Sequence, residues 1–317
     1  MKFPVFDLHC DTALGLMGRD LSADTSLRSN NLHIDLERAK IFPGYAQCFA
    51  CFTTTSDRYP KGKTVEDIFE RELSVLLREF NAHSDLISQA FTAQDIENNL
   101  QNGRMSAILT IEGPAGFGFD PALLENLQQI GFRITTLGWN EKNVLTGSNV
   151  TGGGLTDLGK AYVKEAQRLG MLIDISHISD EGFWDIMDIT QAPVIATHSN
   201  SRQICPHKRN LTDEMFKAIC NTGGVAGINL YTEFVGENAD IDTLCNHVFH
   251  FLEMDPEGKH ISLGGDLDGC DTLPKGFEGI QSYETLARHL SARGLDDRLI
   301  QNIFWNNAFG VMKSCCM

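Results

Sequence analysis

Six side chains that could do chemistry lie at the ends of short apolar segments of this sequence. Each is a histidine, an aspartate or a glutamate, the types that bind divalent metals and transfer protons. The six are His9, Asp11, Glu112, His177, His198 and Asp266. Buried groups of this kind are costly unless they are paired with cations, so their repeated occurrence at segment ends predicts a shared metal site. Such a site indicates a metal-dependent hydrolase.

The spacing of the histidines indicates two groups of ligands. His9 and Asp11 are two positions apart, so on a strand their side chains face the same side and can bind one ion. His177 and His198 follow two consecutive strand-like segments and supply two more imidazoles. A single histidine at a strand end is more often a structural residue, and only the coincidence of all the groups favours a metal site.

The carboxylates complete the predicted chemistry. Glu112 is an anionic ligand that could bridge two ions about 3.5–4 Å apart. Asp266 could take a proton from bound water and deliver it to a leaving amine, and Asp268 is the second choice for that role. Taken alone, Glu112-Gly113 could be a turn, and the segment around Asp266 could be a turn or a fragment of a calcium-type loop.

The segments that must position these groups alternate between strand-like and helix-like patterns. Short apolar runs predict eight strands, at 4–10, 44–52, 105–112, 133–139, 171–177, 193–198, 224–230 and 260–266. Helical spacing predicts helices at 64–82, 93–102, 120–130, 156–169, 179–190, 212–221, 240–254, 282–292 and 296–310. Eight strands joined by helices predict a (β/α)8 TIM barrel with a binuclear metal site at the carboxyl-terminal mouth of its strands. An open doubly wound sheet is the alternative, although no Gly-x-Gly-x-x-Gly motif follows the first strand.

Length and composition limit the class of protein. The chain has 317 residues, enough for one barrel with insertions, and we predict a single domain over residues 1–317. Its net charge is −16 and it has no basic run, which argues against binding to nucleic acid or to an anionic membrane surface. The first residues form no apolar signal core and no apolar run is long enough to span a membrane, so we predict a cytoplasmic location.

The nine cysteines do not suggest a disulfide framework, because their number is odd and they are spread along the chain. Cys48 and Cys51 have the spacing of a redox or zinc-knuckle pair. They lie inside an apolar run and no second pair would complete a tetrahedral site, so packing in the core is the favoured interpretation.

Taken together, the motifs resemble the renal (membrane) dipeptidase family of zinc peptidases, within the amidohydrolase-like metal-dependent hydrolases, and the resemblance covers nearly the whole chain. It is carried by Asp7-Leu8-His9-Cys10-Asp11-Thr12, Ile111-Glu112-Gly113, Asp174-Ile175-Ser176-His177, Ala196-Thr197-His198-Ser199-Asn200, Lys208-Arg209-Asn210 and Gly264-Gly265-Asp266-Leu267-Asp268-Gly269. The combination is specific, whereas each motif alone is not.

The resemblance implies a function and roles for these residues. It implies that two zinc ions are bound, one by His9, Asp11 and Glu112 and the other by Glu112, His177 and His198, with a bridging water or hydroxide as the nucleophile. It implies that Arg209 binds the substrate carboxylate, that Asp266 is the general acid/base, and that the protein forms a homodimer. The expected substrate is a dipeptide, and dipeptides with a C-terminal D-residue are included.

One residue departs from the family pattern. The best-known dipeptide-hydrolysing members have a histidine after the fourth strand that donates a hydrogen bond to the tetrahedral oxygen, and this chain has Trp139 there. We expect Trp139 to form a wall of the substrate pocket, because an indole cannot be a cation. Two alternatives therefore stay open: another amidohydrolase on the same barrel (a deacylase, lactonase or deaminase), and an inactive metal-binding protein. We also expect the long loops at 17–43 and 141–154 to shape the pocket.

Overall fold

The computed structural model describes residues 2–18, 25–55 and 62–315 of the chain. Nine parallel strands lie in this part: β1 Val5–Cys10, β2 Tyr45–Phe52, β3 Ile87–Gln89, β4 Met105–Glu112, β5 Phe132–Thr136, β6 Leu172–Asp174, β7 Val194–Ile195, β8 Ala226–Ile228 and β9 Ile261–Leu263. Eight of them correspond to the predicted strands. The short strand β3, which pairs with β4 outside the main order, was not predicted from the sequence.

The sheet closes on itself. Its strand order is β7-β6-β5-β4-β2-β1-β9-β8, and a parallel bridge between Ala196 and Ala226 joins the two ends. The prediction of a (β/α)8 barrel is therefore confirmed, and the open doubly wound sheet is wrong. Closure requires small residues beside β7: a side chain at Gly227 or Gly264 would lie within about 2 Å of the Thr197 carbonyl oxygen.

Every predicted helix is present. The helices are α1 Thr12–Met17, α2 Leu36–Ala39, α3 Val65–Ala82, α4 Ala93–Gln101, α5 Leu124–Ile130, α6 Asp157–Arg168, α7 Asp180–Ile189, α8 Asp213–Thr222, α9 Thr232–Val235, α10 Ile241–Met254, α11 Tyr283–Ala292, α12 Asp297–Gln301 and α13 Asn307–Cys315. The short helices α1, α2 and α9 were not predicted. Thr64 caps α3 as its sequence position indicates, since its hydroxyl oxygen accepts a hydrogen bond from the Asp67 amide at 3.1 Å. Within the described residues, none of the helices is both long and apolar enough to cross a membrane.

The last helix covers the amino end of the barrel. One face of the strands forms a buried apolar cluster with this helix and with the π-helical turn Asn302–Asn306 that precedes it. The cluster includes Phe6, Leu8, Ile108, Ile134, Leu172, Ile195, Trp305, Ala308, Val311 and Met312. Asn307 donates hydrogen bonds to the carbonyl oxygens of Gly258 and Ile261, next to the start of β9. Cys48 belongs to this cluster and Cys51 to the surrounding core, which confirms the packing interpretation of the Cys48–Cys51 pair.

Several strands are shorter than predicted. The strands that precede His177, His198 and Asp266 end at Asp174, Ile195 and Leu263. These three residues therefore belong to the turns that follow β6, β7 and β9. Backbone in a turn can aim a side chain in directions that the alternation of a strand does not allow.

Candidate metal and acid–base site

The structure brings all six predicted residues together at the carboxyl end of the barrel. The His9 imidazole lies at the centre: its Nε2 atom is 3.4 Å from Asp11 Oδ2, 3.3 Å from Glu112 Oε2 and 3.9 Å from Asp266 Oδ1. Its ring also stacks on the His198 ring, with 3.9 Å between centroids. Residues from β1, β4 and the turns after β7 and β9 thus meet in one place, as the sequence predicted.

Glu112 lies between two groups of donor atoms. Its Oε2 atom faces His9, whereas its Oε1 atom is 2.9 Å from His177 Nε2 and 4.0 Å from His198 Nε2. The two Nε2 atoms of His177 and His198 are 3.0 Å apart and face the same space. A carboxylate with one oxygen toward each group has the geometry that a bridging ligand requires.

A register shift in β1 aims His9 at this site. Phe6 and Leu8 pack in the barrel cluster, whereas Asp7 lies on the opposite face and accepts a hydrogen bond from the Tyr283 hydroxyl. Regular alternation would place His9 on the same face as Asp7. The pairing of β1 with β2 shifts between Asp7 and Cys10, and such an irregularity redirects side chains. The prediction that His9 and Asp11 share one side is right in outcome, although Asp11 lies beyond the strand at the start of α1.

Backbone in the left-handed region marks the site. Among the described residues that are not glycine, five have positive φ, and three of them are His177 at 73°, Asp266 at 54° and Asp268 at 68°. This conformation is unfavourable for residues with a Cβ atom and persists where surrounding contacts enforce it. The turns that carry His177 and Asp266 are therefore held in place by their neighbours.

Hydrogen bonds from outer residues fix the two imidazoles after β6 and β7. The Nδ1 atom of His177 lies 2.9 Å from Asn140 Oδ1, so its Nδ1–H donates to that amide oxygen. The Nδ1 atom of His198 lies 2.7 Å from the Thr197 hydroxyl, which in turn donates to Asp174 at 2.5 Å. Both arrangements leave the Nε2 lone pair free for a metal.

These outer residues were not identified as site residues from the sequence. Asn140 directly follows Trp139, and Asp174 lies three residues before His177. Their one local signal is a polar side chain beside a ligand-type residue, which is too common to be selective.

The electrostatics of the site favour bound positive charge. Burial raises the pKa of Glu112 to about 8, and the charge of Asp11 adds to this shift. Burial alone would lower the pKa of His9, but the carboxylates of Glu112 and Asp11 raise it well above its ordinary value. Burial lowers the pKa of His177 and of His198 well below the ordinary range, with Arg209 and His9 adding to the effect. Protons and metal ions therefore compete for the same atoms.

The residues fit a divalent metal. His9 Nε2 and Asp11 Oδ1 are buried and have no hydrogen-bond partner within the described ranges. Buried polar atoms of this kind are normally satisfied, and a cation would satisfy both. Imidazole nitrogens and carboxylate oxygens are also the ligands of binuclear hydrolase sites.

The two aspartates after β9 differ in their surroundings. Asp266 lines the cavity beside the metal-ligand atoms, and burial raises its pKa to about 6, while the charge of His9 opposes this shift. The side chain of Asp268 instead accepts hydrogen bonds from the Thr12 hydroxyl and the His33 amide, both at 2.6 Å. Asp268 therefore secures the turn to α1 and to the loop around His33, and Asp266 is the better placed of the two for proton transfer.

A cavity of about 180 Å³ opens beside this site. Aromatic residues form much of its lining, namely Phe52, Trp139, Tyr231 and Phe234. Trp139 packs edge-on against Phe52, with ring centroids 5.2 Å apart, and lies 6.1 Å from the His177 ring. Trp139 is thus a wall of the cavity, as predicted. No lining residue comes from 25–43 or 141–154, and the part of the first loop at 19–24 lies outside the described residues.

Arg209 is a buried cation next to the site. Its Nη1 atom donates to Ser199 Oγ at 3.2 Å and its Nη2 atom to the His198 carbonyl oxygen at 3.3 Å. The guanidinium also lies over the Phe234 ring, 5.3 Å from its centroid. Its Nε atom is buried without a hydrogen-bond partner among the described residues. Arg209 lines a small cavity that it shares with His177, and this cavity adjoins the larger one through that histidine.

Comparison with known proteins identifies similar chains. A family model described as membrane dipeptidase, peptidase family M19, matches residues 1–316. An uncharacterized dipeptidase of Schizosaccharomyces pombe, C3A11.10c, is 34% identical over 217 residues, which are 66% of this chain and 53% of that protein. The match therefore spans about half the length of this relative.

Two solved structures share the fold over nearly their whole length. One, described as dipeptidase AC, a metallo peptidase of family M19, is 27% identical and has a TM-score of 0.88, with 99% of each chain covered. The other is a metallo peptidase from Rhodobacter sphaeroides, liganded with a phosphinate mimic of the dipeptide L-Ala-D-Ala. It is 24% identical and has a TM-score of 0.88, with 99% of this chain and 100% of that chain covered.

Proposed function

Because the chain belongs to the membrane dipeptidase family, peptidase family M19, we propose that it hydrolyses the amide bond of dipeptides in a zinc-dependent reaction. The observation that carries this proposal is the position of Glu112, whose two oxygens face two separate groups of donor atoms. A pair of ions bridged by one carboxylate is the arrangement that binuclear hydrolases use.

The chain offers ligands for two zinc ions. His9, Asp11 and Glu112 would hold one ion, and Glu112, His177 and His198 would hold the other. Zinc bound there would supply a Lewis acid for the scissile carbonyl and would provide hydroxide as the nucleophile at neutral pH. Asn140 and Thr197 keep the two imidazoles in the tautomer that binds metal.

Asp266 is the proposed general acid/base. Its Oδ1 atom is the oxygen that faces the ligand group, 3.9 Å from His9 Nε2. A carboxyl whose pKa is raised to about 6 exchanges a proton readily near neutral pH. In the proposed reaction Oδ1 accepts the proton of the attacking water and delivers it to the departing amine.

Arg209 and Trp139 are the proposed substrate-binding residues. A buried guanidinium with an unsatisfied Nε atom supports a role in binding an anion, and the free carboxylate of a dipeptide is such an anion. Trp139 and Phe52 form an apolar wall that would contact a substrate side chain. The dipeptide mimic bound by the Rhodobacter sphaeroides peptidase is a reason to include C-terminal D-residues among the substrates.

The alternative function is that of another small-molecule amidohydrolase, such as a deacylase, lactonase or deaminase. Trp139 is the observation that favours it. An indole has one N–H donor and no charge, so it cannot give a tetrahedral oxygen the stabilisation that a histidine cation gives.

A substrate panel separates these functions. We expect the zinc-reconstituted protein to cleave L,L- and L,D-dipeptides efficiently, and to lose this activity with a chelator. N-acyl amino acids and lactones complete the panel. Metal binding without dipeptide turnover would contradict the proposal and favour the alternative.

The role of Arg209 has a sharper test. Wild-type protein should prefer a dipeptide to its C-terminal amide, and Arg209→Met should remove most of this preference by lowering kcat/KM for the dipeptide about 10- to 100-fold. Arg293→Met is the matched control, because Arg293 donates a hydrogen bond to Asn246 and lines neither of the two cavities. An unchanged preference in Arg209→Met would remove its assigned role.

Three broader proposals accompany the activity. We propose a cytoplasmic location, which the free thiols of Cys10, Cys51, Cys205 and Cys245 support. We also propose one barrel domain over residues 1–317 and a homodimeric assembly, with no nucleic-acid or membrane partner. Size-exclusion chromatography with light scattering would test the assembly.

A further inference from the structure

We propose that Asn229 is a positioning residue that fixes the carboxylate of Asp266 for proton transfer. The proposal rests on the proposed function, because it assigns Asp266 the role of general acid/base. It concerns a residue between β8 and α9 that no sequence motif singled out.

The side chain of Asn229 joins three parts of the site. Its Nδ2 atom donates a hydrogen bond to Asp266 Oδ2 at 3.1 Å and another to the His198 carbonyl oxygen at 3.2 Å. Its Oδ1 atom accepts a hydrogen bond from the Tyr231 amide at 2.6 Å. These contacts use both amide hydrogens and the oxygen, and they assign the orientation of the amide group.

The backbone of Asn229 is fixed as well. Its amide donates to Asn200 Oδ1 at 2.9 Å, and its carbonyl oxygen accepts from Asn200 Nδ2 at 2.9 Å. Both asparagines are fully buried. Asn229 therefore has no alternative position from which to contact Asp266, and a preorganised donor of this kind holds its partner without a further entropic cost.

Asp266 needs such a partner. Its backbone lies in the left-handed region, and the torsion that rotates a carboxylate is broad and nearly two-fold. The hydrogen bond to Oδ2 selects one orientation and directs Oδ1 toward His9 and the cavity. Without it, the oxygen that carries the proton would no longer have a defined position, and misplacement of a catalytic group by about 1 Å is costly.

This role has a kinetic signature. If Asn229 acts through Asp266, then Asn229→Ala should lower kcat about 10- to 100-fold, the range typical of outer residues that orient a catalytic group. KM should change little, because Arg209 and the aromatic walls remain. Metal content should equal that of wild type, since Asn229 contacts no ligand atom of the proposed zinc site.

A double-mutant cycle tests the coupling. In the Asp266→Asn background, Asn229→Ala should have almost no further effect on kcat, because the group that it positions is already gone. Asn99→Ala is the matched control: Asn99 is also buried and donates to the Ser106 hydroxyl, but it has no contact with Asp266 or with the asparagines that hold it. The factor by which the control variant changes kcat should be the same in the wild-type and the Asp266→Asn background. Equal factors for Asn229→Ala in the two backgrounds would overturn the proposal.

A second variant and a second measurement guard against misfolding and low activity. Asn229→Asp has nearly the same volume and retains the acceptor for Tyr231, but when ionised it cannot donate to Asp266. Crystal structures of either variant should show the Asp266 carboxylate rotated or in several orientations, and an unmoved carboxylate would refute the positioning role. If the wild-type protein cleaves no dipeptide, the proposed function is contradicted. The positioning of Asp266 by Asn229 can still be tested in that case, because the crystal structures do not depend on turnover.

Discussion

The two ends of the barrel are built on opposite principles. At the amino end, Phe6 and Leu8 pack against the C-terminal helix, and the Phe6 ring lies 5.7 Å from the Trp305 ring. At the carboxyl end, Glu112 is buried and Asp266 is partly buried among other ionisable groups, and removal from water raises the pKa of each. One end therefore stabilises the fold by apolar contact, whereas the other keeps charged groups in a costly environment.

The difference shows how this barrel separates stability from chemistry. The apolar contacts lie at one end of the strands, whereas the left-handed turns of His177 and Asp266 lie at the other end. Apolar packing elsewhere in the molecule offsets the unfavourable free energy of the ionisable groups at the carboxyl end, as is common for proteins with active sites. Changes at the two ends should therefore have opposite effects on activity and stability.

The largest effect is expected at the bridging carboxylate. Glu112→Gln should abolish most dipeptidase activity, by about 10⁴-fold in kcat/KM, because an amide cannot supply the anionic bridge between two ions. The free energy of unfolding of the metal-free variant should not decrease, since a buried ionisable group has been replaced by a neutral one. Metal analysis, steady-state kinetics and urea denaturation together measure these changes.

Glu79→Gln provides the control for this variant. Glu79 is also buried, but it binds the Leu27 amide, away from the ligand group, so its replacement should leave the metal content unchanged. Full metal content together with normal turnover in Glu112→Gln would contradict the contrast between the two ends.

The next largest effect is expected at the amino end. Phe6→Ala should lower the free energy of unfolding by about 3–5 kcal/mol, because it leaves a cavity under Trp305. The kcat of the protein that remains folded should stay close to that of wild type. The milder Phe6→Leu should show a smaller loss of stability in the same denaturation experiment. A large fall in kcat at full folding would show that the ends are coupled.

The smallest effect concerns a buried histidine on the mouth side. Burial lowers the pKa of His247 to about 4, and its imidazole accepts from the Ser201 amide and donates to the Val235 carbonyl oxygen. The unfolded chain, with a pKa near 6.5, binds a proton first as the pH falls, so this contribution to stability is lost between about pH 6.5 and 4. The loss should approach about 3 kcal/mol.

The His247→Gln variant isolates this effect. Glutamine cannot titrate, so the difference in free energy of unfolding between wild type and variant should shrink as the pH falls through that window. Denaturation curves between pH 7.5 and 4 measure it, and a difference that does not vary with pH would show that His247 makes no such contribution.

Much of the fold and the site could be predicted because their signals are local. Short apolar runs identified eight strands, and the position of Thr64 before an amphipathic segment identified the start of a helix. The six ligand-type residues were visible because each follows such a run. The strand β3 was missed because two of its three residues, Ser88 and Gln89, are polar, so it forms no apolar run, whereas the other short strands lie within longer apolar runs.

The partners of these residues could not be predicted in the same way. Asn229 and Asp266 are separated by 37 positions, and Asp174 and Thr197 by 23, so no local pattern links them. The lengths of the last strands were also overestimated. The apolar runs continue past Asp174 and Ile195, but barrel closure and the left-handed turn at His177 end the pairing earlier.

The sequence by itself determined the order of strands and helices, the family and the types of residue available for chemistry. Tertiary structure alone decided where those residues point. A register shift turns His9 toward Glu112, and left-handed backbone places His177 and Asp266 beside it. The physical reason is that hydrophobic periodicity indicates which face of a helix or strand is buried. The direction of an individual side chain depends instead on hydrogen bonds and close contacts between segments that are distant in the chain.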